Sequence, residues 1–143
     1  MSSEYTRYLG IDYGSVRIGL ALSDPLKIIA NGFTTIQNDD RCLEKILTII
    51  KEQNVEKIII GKPLNLKGEM GTKAEEVLQF IKKLQEITSL EIHQIDERFT
   101  SVMAQASILA MGTPKKKRQQ NKGKVDEVAS AILLQGFLDT VKR

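Results

Sequence analysis

The chain contains few of the residue types that build disulfides, zinc sites and base-stacking surfaces. It has a single cysteine, Cys42, a single histidine, His93, and no tryptophan. One thiol cannot form an internal disulfide, and it has no second thiol with which to build a structural zinc site. The three tyrosines and four phenylalanines form no run suited to stacking bases. We therefore expect structural roles for Cys42 and His93, and recognition of any nucleic acid through its backbone and shape.

Long hydrophobic runs are also missing. The longest, around 58–60 and 131–134, fall far below the roughly 20 residues of a membrane-spanning helix. Residues 1–7 are polar and mixed in charge, unlike a secretory signal. With 143 residues, 41% hydrophobic and 27% charged, the composition is typical of one globular domain. We expect a single domain over residues 1–143 that is cytoplasmic and has no membrane partner.

Positive charge is concentrated in one segment. Residues 114–124 contain six basic residues and no acid. The chain has 21 basic and 18 acidic residues in all, so the part outside this segment has 15 basic and 18 acidic residues. A basic segment on a mildly acidic domain favours a polyanionic partner, with a merely solvated loop as the alternative. The six residues are Lys115, Lys116, Lys117, Arg118, Lys122 and Lys124.

Hydrophobic periodicity predicts five strands and four helices in the order βββαβαβαα. This order lacks the strict alternation and the glycine-rich turn of a dinucleotide-binding fold. It instead favours an α/β fold with a mixed five-stranded sheet and helices on both faces. The predicted strands are 8–12, 17–22, 28–36, 57–61 and 90–96, and the helices are one from 40, one from 72, then 100–111 and 125–141, with a basic loop over 112–124.

Three acidic residues, Asp12, Glu97 and Asp126, lie at the ends of predicted elements. Each has a structural alternative: Asp12 in a turn, Glu97 paired with Arg98, and Asp126 stabilised by a helix dipole in a first turn. Together they can converge at one edge of the sheet. Three oxygen donors without a cysteine or histidine cluster favour Mg²⁺ or Mn²⁺. Two such ions can activate water and stabilise the leaving oxygen in phosphodiester hydrolysis.

Four sequence blocks follow one another along nearly the whole chain: 10–19 with Ala21, Ser23 and Asp24; 61–63 with Gly68; 96–101; and 124–126 with Ala129, Ile132 and Gln135. Together these blocks resemble the motifs of the YqgF/RuvX family. Ser130 departs from the pattern because the family more often has alanine there, but this exchange of one small residue for another should not disturb the site.

The resemblance implies a ribonuclease H-like fold related to Holliday-junction resolvases, and a nuclease that trims the 5′ end of pre-16S ribosomal RNA. It implies that Asp12, Glu97 and Asp126 are the catalytic and metal-binding residues, with Asp96 as an auxiliary acid. Ribosomal precursor particles are implied as partners. Further residues are expected to orient the carboxylates or to bind substrate phosphate: Arg17, Arg98, Thr100, Ser101, Lys115, Lys116, Lys117 and Arg118.

Other functions stay open at this point. The same acids and fold serve cleavage of four-way DNA junctions, which needs two active sites and hence a homodimer. The sequence shows no identifiable dimer face, so a monomer and a homodimer both stay open. A non-catalytic nucleic-acid-binding module would use the basic segment alone. The turn over residues 10–15 also resembles the phosphate-binding turn of the actin, sugar-kinase and Hsp70 ATPases, but those enzymes bind nucleotide between two such domains.

Overall fold

A computed structural model describes residues 5–62, 72–96 and 122–141. Their strands form one five-stranded sheet of order β3-β2-β1-β4-β5, in which β1, β2 and β3 are antiparallel neighbours and β4 and β5 run parallel to β1. The predicted mixed sheet is therefore confirmed, whereas the predicted helix over 100–111 lies outside the described residues. The elements are β1 (Arg7–Asp12), β2 (Arg17–Ser23), β3 (Ala30–Gln37), α1 (Cys42–Glu52), β4 (Val55–Lys62), α2 (Thr72–Ile87), β5 (Glu91–Asp96) and α3 (Lys122–Val141).

Helices cover both faces of the sheet, as predicted. Side chains alternate along a strand, so Leu9 and Ile11 of β1 pack with α1 and α2 on one face. On the other face, Ala21 and Ile59 pack against Leu133 of α3. Cys42 is buried in the first of these cores, consistent with a packing role. No helix in the described ranges has an apolar stretch of membrane-spanning length.

The strand β3 begins two residues later than predicted. Asp24 accepts hydrogen bonds from the backbone N–H groups of Ile28 and Ile29, at 2.7 and 2.9 Å. These bonds hold the two isoleucines in the connection between β2 and β3, so the strand starts at Ala30. The side chains of Ile28 and Ile29 remain exposed. Their apolar, β-branched character suggested a strand that the local hydrogen bonding prevents.

The start of α3 was also predicted wrongly. The helix begins at Lys122 and not at residue 125, so the last three residues of the predicted basic loop are helical. Lysine is a good helix former, and its charge does not indicate a loop. Asp126 consequently lies in the second turn of α3, and no acidic residue occupies the first turn. Because the dipole effect fades within the first turn, it does not explain an acid at this position.

Candidate active site

The carboxyl ends of three parallel strands define one edge of the sheet. In register, Ile11 of β1 lies beside Ile60 of β4, and Lys62 of β4 lies beside Asp96 of β5. β1 ends at Asp12 and β5 ends at Asp96, so both acids lie at this edge. Open α/β sheets place their sites at the carboxyl ends of parallel strands. Glu97 is the next residue in the sequence and lies outside the described residues.

Gly19 brings Asp12 and Asp126 to the same face of the sheet. Asp12 pairs with Gly19 across the antiparallel β1 and β2, and directly opposed residues project to the same face. A Cβ atom added at Gly19 would lie 2.2 Å from the backbone oxygen of Asp126. The face onto which Asp12 projects is therefore the face covered by α3. Two of the three predicted ligands thus lie on one face of the sheet, on either side of Gly19.

The position of α3 depends on three strand glycines, Gly10, Gly19 and Gly32, which we call the glycine platform. Added Cβ atoms at Gly10 and Gly32 would lie 2.9 Å from the Cβ atom of Leu134 and 3.0 Å from that of Glu127. The helix backbone can therefore approach three neighbouring strands closely. Sequence reasoning missed this role, although the glycines stand out as small residues inside strands.

A bulge in β3 keeps Gly32 in the glycine platform. Thr34 pairs with Leu20 and Gly32 pairs with Ala21, so Phe33 has no partner in β2. If Phe33 were an ordinary paired residue of the strand, strict alternation from Thr34 would turn position 32 away from α3. The bulge therefore places Gly32 beneath the helix and leaves Phe33 exposed.

Polar side chains of α3 bind it to β3, the outermost strand on one side of the sheet. The side chain of Gln135 accepts a hydrogen bond from the N–H of Ala30 at 2.8 Å and donates one to the carbonyl of Ile28 at 3.0 Å. Nearer the site, the Thr35 hydroxyl donates to Glu127 at 3.4 Å. These contacts bind both the middle and the start of α3 to the same strand, and so fix the height of Asp126 above the sheet.

Arg17 forms an ion pair with Asp126. Its Nε donates a hydrogen bond of 2.8 Å to Oδ2 of the carboxylate. Arg17 precedes Gly19 by two residues in β2, so the two lie on the same face of the strand. The pair is partly open to solvent, with 32% of the Arg17 side chain and 23% of the Asp126 side chain exposed. Of the residues expected to orient carboxylates, Arg17 is the one whose contact the structure describes.

The loop after Asp12 is held by residues that sequence reasoning did not select. Asn38 donates from its side-chain amide to the carbonyl of Gly14 at 2.8 Å, and from its backbone to the carbonyl of Val16 at 2.9 Å. The Ser15 hydroxyl donates to Glu76 of α2 at 3.0 Å. Such contacts join residues far apart in sequence, so a local pattern does not reveal them. They fix the hairpin that leads from Asp12 to Arg17.

The donor chemistry of the site suits a hard divalent cation. Asp12 and Asp126 offer carboxylate oxygens, which Mg²⁺ and Mn²⁺ prefer. Within the described ranges no three acidic, histidine or cysteine side chains gather as a metal-binding group. The other predicted site residues lie outside the described residues: Glu97, Arg98, Thr100, Ser101, Lys115, Lys116, Lys117 and Arg118.

Two solved structures share the fold of this chain. The Fowlpox virus resolvase, solved with its substrate Holliday junction DNA, superposes with a TM-score of 0.58 over 96% of this chain and 100% of its own, at 11% identity. RuvC of T. thermophilus, in complex with a Holliday junction substrate, superposes with a TM-score of 0.56 over 96% of this chain and 97% of its own, at 12% identity. The predicted ribonuclease H-like fold is thereby confirmed.

Sequence comparison finds closer relatives. A candidate pre-16S rRNA nuclease from Roseiflexus sp. (strain RS-1) is 39% identical over 142 residues, which cover 98% of this chain and 99% of the relative. A protein of the same name from Clostridium kluyveri is 40% identical over 139 residues, covering 96% and 99%. The model of the RuvX family, described as Holliday junction resolvase, matches residues 6–140. The chain therefore belongs to the RuvX family, as its motifs indicated.

Proposed function

We propose that this chain is a metal-dependent nuclease that hydrolyses phosphodiester bonds of nucleic acid. The observation that carries the proposal is the placement of Asp12 and Asp126 on one face of the sheet, across Gly19, at the edge where β5 also ends. Carboxylates gathered at such an edge can bind a divalent cation and a phosphate together. Membership of a family of nucleases and resolvases supports the same chemistry.

Asp12, Glu97 and Asp126 would hold Mg²⁺ or Mn²⁺. When bound, such a cation stabilises negative charge that develops on the phosphate oxygens. The protein's own part is to orient these ligands, and Arg17 does so for Asp126 through its ion pair. Arg98, Thr100 and Ser101 follow Glu97 directly in the sequence and would orient carboxylates or bind phosphate.

The favoured substrate is pre-16S ribosomal RNA, trimmed at its 5′ end. Several relatives that are about 40% identical over nearly their whole length carry the name of a candidate nuclease for this RNA. Lys115, Lys116, Lys117 and Arg118 would hold the phosphate backbone with little dependence on sequence. Work on a ribosomal precursor would place the protein in the cytoplasm, in contact with precursor particles.

Cleavage of a four-way DNA junction is the second candidate. The family model carries the description Holliday junction resolvase, and both structural neighbours were solved with junction DNA. Resolution of a junction requires cuts in two symmetric strands, and hence two active sites in a homodimer. Junction cleavage therefore requires an active dimer, whereas trimming of one RNA end sets no such requirement.

The test compares a pre-16S RNA fragment with a synthetic four-way junction, each with Mg²⁺ or Mn²⁺. We expect cleavage of the RNA and its loss in Asp12→Asn, because the variant removes a charged ligand but keeps the side-chain shape. Asp40→Asn is the matched control, because Asp40 is an exposed acid in the connection between β3 and α1. Undiminished cleavage by Asp12→Asn would contradict the proposal, and exclusive cleavage of the junction by a dimer would establish the second candidate.

A further inference from the structure

We infer that Arg17 is a positioning residue that joins a metal ligand to the substrate. Its Nε holds the carboxylate of Asp126, and its terminal guanidinium nitrogens bind a phosphate of the nucleic acid at the same time. This inference rests on the proposed nuclease function and extends it, because it couples the geometry of the metal site to the presence of the substrate backbone.

The first step is the position of Arg17 in the sheet. Arg17 is the first residue of β2, and Gly19, two residues later, pairs with Asp12. Because β2 runs away from the edge where β1 ends, Arg17 lies farther toward that edge than the pair of Asp12 and Gly19. A nucleic acid that approaches the carboxylates from solvent therefore passes Arg17.

The second step is the chemistry of the guanidinium group. It has five N–H donors in a rigid plane, and the bond from Nε to Oδ2 of Asp126 uses one of them. The terminal nitrogens can serve a phosphate, for which the guanidinium has matching geometry. The other carboxylate oxygen, Oδ1, can serve a cation. With 32% of its side chain exposed, Arg17 is accessible to a ligand from solvent.

A purely structural role for the ion pair is less well supported. The helix α3 is already positioned by the glycine platform and by the hydrogen bonds of Gln135 to Ala30 and Ile28. A partly exposed ion pair adds little to such packing, because solvent weakens the attraction between its charges. The placement of an arginine against Asp126, at the carboxyl end of β1, is therefore better explained by a role in binding metal and substrate.

The first measurement is the affinity of the nucleic-acid-free protein for Mn²⁺, followed by electron paramagnetic resonance. Arg17→Gln and Arg17→Lys both lose the Nε bond, and we expect each to weaken Mn²⁺ binding about 10- to 100-fold, the usual cost of removing a residue that orients a metal ligand. Arg41→Gln and Arg41→Lys are the matched controls, because Arg41 is an exposed arginine at the start of α1. The controls should keep the wild-type affinity.

The second measurement is the salt dependence of binding to a single-stranded RNA oligonucleotide in Ca²⁺. Loss of one phosphate contact lowers the slope of log K against log salt by about 0.7 for a single strand. We expect this loss in Arg17→Gln and not in Arg17→Lys, because lysine still offers a point charge to phosphate. Arginine alone serves both partners, so the lysine variant should separate the two roles.

Thermal unfolding of every variant shows whether the fold keeps its stability. If Arg17→Gln changes only the melting temperature and leaves Mn²⁺ affinity and the salt slope at wild-type values, the inference is wrong. Neither binding measurement requires cleavage. A wild-type protein that cleaves RNA while its Arg17 variants bind Mn²⁺ and RNA normally would overturn the role of Arg17 alone. If the Arg17 variants show both binding effects but the wild-type protein never cleaves nucleic acid, only the nuclease proposal is overturned.

Discussion

Gly19 is the residue where the sheet and α3 come closest, and its lack of a side chain determines where Asp126 lies. An added Cβ atom would meet backbone atoms of Asp126, with the carbonyl oxygen at 2.2 Å. A backbone group inside a packed helix cannot rotate away as the end of a flexible side chain can. A methyl group at this position would therefore push the helix and its carboxylate away from Asp12.

We predict that Gly19→Ala destabilises the fold and reduces nuclease activity more than the loss of stability explains. Overpacking of this kind costs about 1 to 3 kcal/mol. Gly136→Ala in α3 is the control, because nothing lies within 4 Å of a Cβ atom added at Gly136. That exchange should raise the free energy of unfolding by about 0.5 to 1 kcal/mol, since alanine is the better helix former. Urea unfolding and cleavage assays check both variants, and wild-type stability in Gly19→Ala would refute the close contact.

Elements with strong local patterns could be predicted from sequence, and those fixed by distant contacts could not. The strands around Ile11 and Ile59 follow from apolar residues bounded by turn residues, and they are found within one or two residues of the predicted ends. The start of β3 depends instead on hydrogen bonds from Ile28 and Ile29 to Asp24. The start of α3 was missed because a run of positive charge resembled a loop.

One polar cluster, formed by Lys27, Glu56 and Thr6, connects three parts of the sheet. Lys27, in the connection between β2 and β3, forms an ion pair of 2.7 Å with Glu56 of β4 and donates to the Thr6 hydroxyl at 2.9 Å. Thr6, just before β1, also donates to Glu56. The hydrogen bonds from Lys27 and then Thr6 lower the pKa of Glu56 below its usual value of 4.5. The charged form of Glu56 therefore stabilises the folded state.

We predict that the coupling between Lys27 and Glu56 depends on pH. Because the pKa of Glu56 is lowered on folding, its contribution is fully present above pH 4.5 and is lost as the pH falls through the folded pKa. The Glu56 side chain is 43% exposed, so the coupling should stay below about 1 kcal/mol. Thermal unfolding of Glu56→Gln, Lys27→Gln and the double variant measures it. A coupling that is equal at pH 7 and well below pH 4.5 would contradict this assignment.

For the whole molecule, the resemblance pointed to residues whose surroundings only the structure describes. It implied that Asp12 and Asp126 are metal ligands, which stays a prediction, and the structure brings the two residues to one face of the sheet. The partner of Arg17 could not be predicted, because it lies 109 residues away and is reached only through the packing of α3 on the glycine platform. Glu97 stays a prediction, as does the single domain over residues 1–143.

The charge of the molecule is distributed unevenly along the chain. Residues 114–124 carry six of the 21 basic residues, and the remainder has an excess of acid, so phosphate binding should depend on this segment. Replacing Lys115, Lys116, Lys117 and Arg118 by glutamine should lower the slope of log K against log salt for single-stranded RNA by up to about 3, at about 0.7 per phosphate contact.

The matched control for this variant replaces four exposed lysines on α1 and α2, across the sheet from α3, by glutamine: Lys45, Lys51, Lys73 and Lys82. Both quadruple variants lower the net charge of the protein by the same amount. If attraction between the RNA and the protein as a whole governed binding, the two slopes would fall alike. A fall confined to the variant in residues 115–118 would show that contacts of this segment hold the backbone, and equal falls would contradict that role.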